Sequence, residues 1–109
     1  MTVVNLTPHK VVVMDEDRNE LHTYPASGEV LRLATIELGT QNYPDVEVPV
    51  ELVEYHHLMN PPKKIPGTWY LVSLPCALAY PRDDFLVPFL ELRDDQGRIV
   101  GCRMLGRPV

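Results

Sequence analysis

The chain is poor in cysteine. Two residues, Cys76 and Cys102, in a chain of 109 do not make the disulfide framework on which small secreted domains rely. They read as free, partly buried thiols of a cytosolic chain. Long apolar runs are missing too, and none approaches the ~20 residues that a membrane span needs. At the N-terminus no basic segment leads into a long apolar core, so no signal peptide is visible, and the expected address is the cytoplasm. Basic charge is scarce: ten Lys and Arg against fifteen Asp and Glu leave a net charge of −5. That excludes general nucleic-acid binding, which uses clustered cations to neutralise phosphates, but allows a small local basic pocket. Gly28 and Gly67 are isolated and belong to no phosphate-binding glycine loop. There is no internal repeat, low-complexity tract or linker.

Proline is in excess, with 11 residues, about twice the ~5% average usage. Proline breaks helix interiors and avoids central strand positions. Spread through the chain, it divides the sequence into short segments. The length fits one domain, residues 1–109, able to bury a core without staples.

The stretch from Gly67 to Asp84 organises the rest. Trp69 to Val72 is an apolar run that stops at Ser73. Pro75 opens a short Ala/Leu-rich segment and Pro81 closes it, as expected for a buried strand followed by one or two turns of helix. Ser73 is placed to cap that helix by accepting from an N–H near Cys76. Arg82, Asp83 and Asp84 then form a charged tip.

Around it, β-branched runs predict short strands. Val3 to Leu6 is the first and is interrupted at Thr7-Pro8-His9. Lys10 to Met14 and Leu21 to Tyr24 flank the polar cluster Asp15 to Asn19, as a hairpin does. Val30 to Ile36 follows the turn at Pro25 to Gly28, with Arg32 facing away from the core. Gly39 to Asp45 reads as a loop. Val46, Val48 and Val50 alternate with Glu47 and Pro49, predicting an edge strand that continues through Tyr55. Leu58 to Gly67 reads as a long mobile loop. Phe85 to Pro88 reads as an extended connector. Phe89 to Leu92 and Ile99 to Leu105 form a hairpin about Asp94 to Gly97. The expected fold is mainly β: a small β-sandwich or open barrel with one short helical insertion.

Taken in order, N-L-T-P-H (Asn5 to His9), P-A-S-G (Pro25 to Gly28), Arg32, G-T-W-Y-L-V-S (Gly67 to Ser73), R-D-D (Arg82 to Asp84) and R-D-D-Q-G-R-I-V-G (Arg93 to Gly101) resemble small single-domain proteins of phage and prophage genomes, chiefly of actinobacteria and related hosts. The resemblance covers nearly the whole chain. It implies an origin, a one-domain architecture and the cytoplasm of a bacterial host. It implies no activity, and neither cysteine belongs to the shared pattern.

The candidate ligand-binding residues are Asn5, Thr7, His9, Ser27, Arg32, Arg82 and Asp83, all at strand ends or turns, where a rigid scaffold presents binding groups. Arg32 and Arg82 are expected to fork onto a phosphate or carboxylate. Asp83 would accept from a ribose hydroxyl or base amine, and the Ser27-Gly28 backbone would line an anion nest. The competing reading has the same residues capping turns and stapling loops.

Cysteine catalysis at Cys76 is disfavoured by its Ala/Leu surroundings. The adjacent His56 and His57 point to opposite faces of a strand and match no zinc spacing, so no metal or cofactor is expected. Asp83-Asp84 and Asp94-Asp95 read as solvated turn residues. The leading expectation is a non-enzymatic phage-type accessory protein that binds a small phosphate-bearing ligand and sequesters a host signalling nucleotide. The alternatives are a protein-interaction module docking on a host or virion protein, and a small hydrolase using His9 with Asp83. The valine-rich edge strand also invites a homo-oligomer.

Overall fold

The computed structural model describes residues 1–109. Its strands are β1 (Thr2–Asn5), β2 (Val11–Met14), β3 (Glu20–Tyr24), β4 (Arg32–Gln41), β5 (Val50–Met59), β6 (Thr68–Leu71), β7 (Phe85–Arg93) and β8 (Ile99–Gly106), and its single helix is α1 (Leu74–Ala79). Six strands form one mixed sheet in the order β1-β6-β7-β8-β2-β3, while β4 and β5 form a separate two-stranded ribbon. The protein is mainly β, with one short helix. The two edges of the large sheet meet at one end only, where an isolated bridge pairs Asn5 with Ala26, so the sheet is curved but not a closed barrel.

The β-branched N-terminus lies beside a partner distant in sequence: β1 runs parallel to β6, Thr2 opposite Thr68 and Asn5 opposite Leu71. The β2–β3 hairpin forms about Asp15, whose Oδ1 accepts from the backbone N–H of Asp17 and Asn19. The β7–β8 hairpin repeats that device, with Asp94 Oδ1 accepting from the N–H of Gln96 and Arg98. The β8–β2 contact depends on a missing side chain, since a Cβ on Gly101 would come within 2.9 Å of the Val12 carbonyl oxygen.

Beneath the sheet, Leu6, Leu31, Leu58, Tyr70, Val72, Cys76, Ala77, Phe85 and Val87 form the main core. A smaller cluster joins Val11, Leu71 and Cys102. Trp69 is half-buried and Tyr70 buried. Both thiols are free and buried, and burial pushes the Cys102 thiol upward, which favours the unreactive protonated form.

Several boundaries differ from those read in the sequence. Val46 and Val48 lie in the β4–β5 connection, and only Val50 is in a strand. Pro44 and Pro49 bracket that stretch, and the Val46 N–H closes a turn on the Tyr43 carbonyl. β4 continues through Gly39, whose φ of +129° suits glycine at the bulge between Glu37 and Gly39. β5 runs on to Met59, so the expected long loop begins at Asn60. Phe85 to Pro88 is the start of β7 rather than a connector. The β6 pairing with β7 involves only Phe85 and Leu86, so the N–H that Pro88 lacks has no β6 acceptor to serve. Ser73 makes no side-chain cap; the Ala77 N–H bonds its backbone carbonyl instead.

The protein measures 47 × 39 × 26 Å with a radius of gyration of 16.6 Å, against about 13 Å for a compact chain of about 100 residues. The β4–β5 ribbon accounts for the excess. From Thr35 to His57 every residue is exposed except the half-buried Val50 and Leu52. Only its base, through Leu33 and Leu58, joins the core. No helix is long and apolar enough to cross a membrane.

Candidate functional site

Asn5 ends β1 and is 2% exposed. Its Nδ2 donates to the carbonyls of His9 (2.8 Å) and Tyr24 (3.0 Å), and its Oδ1 accepts from the Thr7 N–H (2.9 Å). The Thr7 hydroxyl lies 2.6 Å from Asn5 Oδ1 and 2.9 Å from the His9 carbonyl. It has one proton and donates to one of these at a time. This knot holds the Thr7-Pro8-His9 turn rigid and joins it to the end of β3. Asn5 and Thr7 are therefore structural at this corner, and the His9 ring is exposed.

Ser27 is exposed and folds on itself. Its hydroxyl lies 3.3 Å from the Glu29 N–H and 3.2 Å from the Glu29 carbonyl.

Arg82 is held by three partners, Asp84, Pro62 and Phe85. Nε and Nη2 donate to the two oxygens of Asp84 at 2.9 and 2.6 Å, and Nη1 donates to the Pro62 carbonyl at 2.8 Å. Its guanidinium carbon sits 4.4 Å from the centre of the Phe85 ring. The bidentate bond to Asp84 raises its pKa further. Asp84 is 3% exposed, so Arg82 neutralises a buried carboxylate and staples the 60–67 loop to β7. Three of its five N–H donors are thus taken, the Nε–Nη2 fork among them. Asp83 points elsewhere: it is exposed and paired with Lys64, which holds its carboxyl below the ordinary range.

Two cavities divide the remaining candidates. One, of about 420 Å³, is lined by Arg32 with Glu29, Met59, Asn60, Pro62 and Tyr70 among others. The other, of about 660 Å³, lies between the Thr7–Val12 segment, the start of α1 and the β7–β8 pair. Thr7 and His9 line it, together with Lys10, Ser73 and Glu91, none of which the sequence marks as a binding residue; Ser73 reads there as a helix cap. Eight of its fifteen lining residues are apolar, which suits a ligand with an apolar body and a polar end. The seven expected residues are thus dispersed: Thr7 and His9 share one cavity, Arg32 lines the other, and Arg82 is spent on Asp84. No hydrogen bond joins His9 to Asp83, whose partner is Lys64.

Lys10 was legible only as His9's neighbour. Ser73 and Glu91 come from distant segments, and no spacing announced them. No group of three or more His, Cys, Asp or Glu side chains is arranged to hold a metal ion. No protein-family model matches the chain, and no curated protein or solved structure matches it at a significant level.

Proposed function

We propose that the protein is a non-enzymatic binder of a small phosphate-bearing ligand, a nucleotide being the case to test, held in the larger cavity. The observation that carries this reading is the make-up of that cavity. A rigid turn presents His9 and Lys10 beside an apolar wall of Val11, Val12, Val72 and Val87, and Ser73 leaves its hydroxyl unused as a cap. A cation and a free hydroxyl beside an apolar surface suit a phosphate joined to a flat, weakly polar body. The resemblance to phage-encoded proteins adds the biological sense: a phage gains from sequestering a host signalling nucleotide.

The test is calorimetric titration of the full chain with a nucleoside 5′-monophosphate and with a cyclic dinucleotide. Lys10→Glu is expected to weaken binding by about tenfold or more, the scale of one charge-assisted hydrogen bond, and Arg32→Ala to leave it unchanged. No heat from either probe, or a loss with Arg32→Ala and none with Lys10→Glu, removes this reading. The projecting ribbon favours a second one, an interaction module that docks on a host or virion protein, in which neither nucleotide binds.

A further inference from the structure

The larger cavity holds two charges of opposite sign that do not meet. Lys10 and Glu91 both line it. Neither side chain makes an ion pair, with the other or with any third residue, and neither makes a side-chain hydrogen bond. Both are exposed, so a ligand that takes them displaces only water.

The backbone aims Glu91 at the cavity. It stands opposite Cys102 in the β7–β8 pair, and directly opposed residues of an antiparallel pair share a face. Cys102 is 1% exposed and lines the same cavity. The upward push on its thiol comes first from burial, and the negative charge of Glu91 adds to it, as a carboxylate on that face would. One residue earlier, Leu90 takes a φ of +57°, a left-handed conformation rare for a bulky side chain. It interrupts the regular pleat just before the carboxylate. Backbone strain of this kind persists only where its surroundings enforce it, and it gathers at ligand sites.

We propose, taking the nucleotide reading above as given, that Glu91 reads the base in this cavity and selects guanine. A phosphate is drawn to Lys10 and repelled by Glu91, so a nucleotide enters with its phosphate at the cation and its base toward the carboxylate. An ionised carboxylate only accepts, through two oxygens side by side. It therefore matches two adjacent donors. Among the common bases guanine alone offers them, as the N1–H and the 2-amino group of its pairing edge. Adenine and cytosine set one amino group beside a ring nitrogen that accepts, and uracil sets one N–H between two carbonyls. Each of these turns a lone pair toward a carboxylate oxygen.

The test is calorimetric titration of the full chain with guanosine, inosine and adenosine 5′-monophosphates, for wild type and Glu91→Gln. Wild type is expected to bind the guanosine nucleotide about tenfold or more tighter than the adenosine one, the scale of one charge-assisted hydrogen bond. Inosine keeps the N1–H and lacks the 2-amino group, and should fall between them. Glu91→Gln replaces a pair of acceptors with one acceptor and one amide donor, so the guanosine preference should be lost while the urea midpoint stays unchanged at this exposed position. A purely structural Glu91 would instead lower all three affinities together. Equal affinities in wild type, a preference that survives Glu91→Gln, or a uniform loss overturns the assignment of Glu91 and leaves the binding reading standing. No heat from any of the three nucleotides removes both.

Discussion

In the six-stranded body, Leu71, Val72 and Ala77 have no exposed surface, and β1, β6, β7, β8 and β2 take neighbours from distant parts of the chain. In the β4–β5 ribbon, equally apolar side chains stand in water, and each strand pairs only with the one beside it in sequence. Apolar composition alone therefore does not identify the core. Burial comes where several distant segments converge, as they do around Phe85, and a hairpin that converges on nothing leaves its apolar side chains in water.

The sharpest way to break that contrast is a pair of aromatic truncations. Phe85→Ala, at 1% exposure, is expected to cost about 3–5 kcal/mol in urea denaturation. Tyr55→Ala on the ribbon should stay within about 0.5 kcal/mol in dilute solution. Comparable losses would mean that the ribbon is packed after all.

Arg82→Ala follows in size. It strands the buried Asp84 carboxylate, and a destabilisation of about 2–3 kcal/mol is expected. That is below the ~3–5 of a fully buried pair because part of the Arg82 side chain reaches solvent. Nucleotide titration of the folded variant should give unchanged affinity; a selective loss of binding with stability intact would return Arg82 to the ligand. Asn5→Ala removes the partner of two carbonyls and one N–H at the corner between β1 and β3, and about 2 kcal/mol is expected. Broadened His9 and Lys10 resonances should accompany it, since that corner shapes the larger cavity.

The smallest effect is acid-dependent. Backbone N–H groups bonded to Asp15 and Asp94 hold both carboxyls below their ordinary range. A carboxyl lowered on folding stabilises the fold above its unfolded pKa, and the gain fades as pH falls through the folded value. The amides of Asn19, Gln96 and Arg98 should therefore lose hydrogen-exchange protection below about pH 4, and Asp94→Asn should flatten that dependence at its own turn alone.

Much of the body was legible because its signals are local. Asp15 and Asp94 mark their turns within five residues, and Pro75 and Pro81 bracket the one helix. What the sequence concealed was non-local or degenerate. Nothing in Val3-Val4 names β6 as the neighbour of β1. The alternation of Val46, Val48 and Val50 imitates a strand, but Pro44 and Pro49 bracket the first two outside it and only Val50 pairs. Asp83 and Asp84 are adjacent and chemically alike, and only the buried position beside Phe85 decides which of them takes Arg82. Thr7 and His9 were found because they interrupt an apolar run. Ser73 and Glu91 reach the same cavity through folding alone.

The parallel pairings also set an order of manufacture. On the ribosome, Thr2 must wait for Thr68, and Val13 for Cys102, so the large sheet cannot assemble until its last strand has emerged. The ribbon needs nothing beyond Met59 to zip up. For part of its synthesis the nascent chain therefore carries the whole β4–β5 sequence ahead of the body that anchors it, and a hairpin marginal on its own gains its footing only when Leu33 and Leu58 join the core.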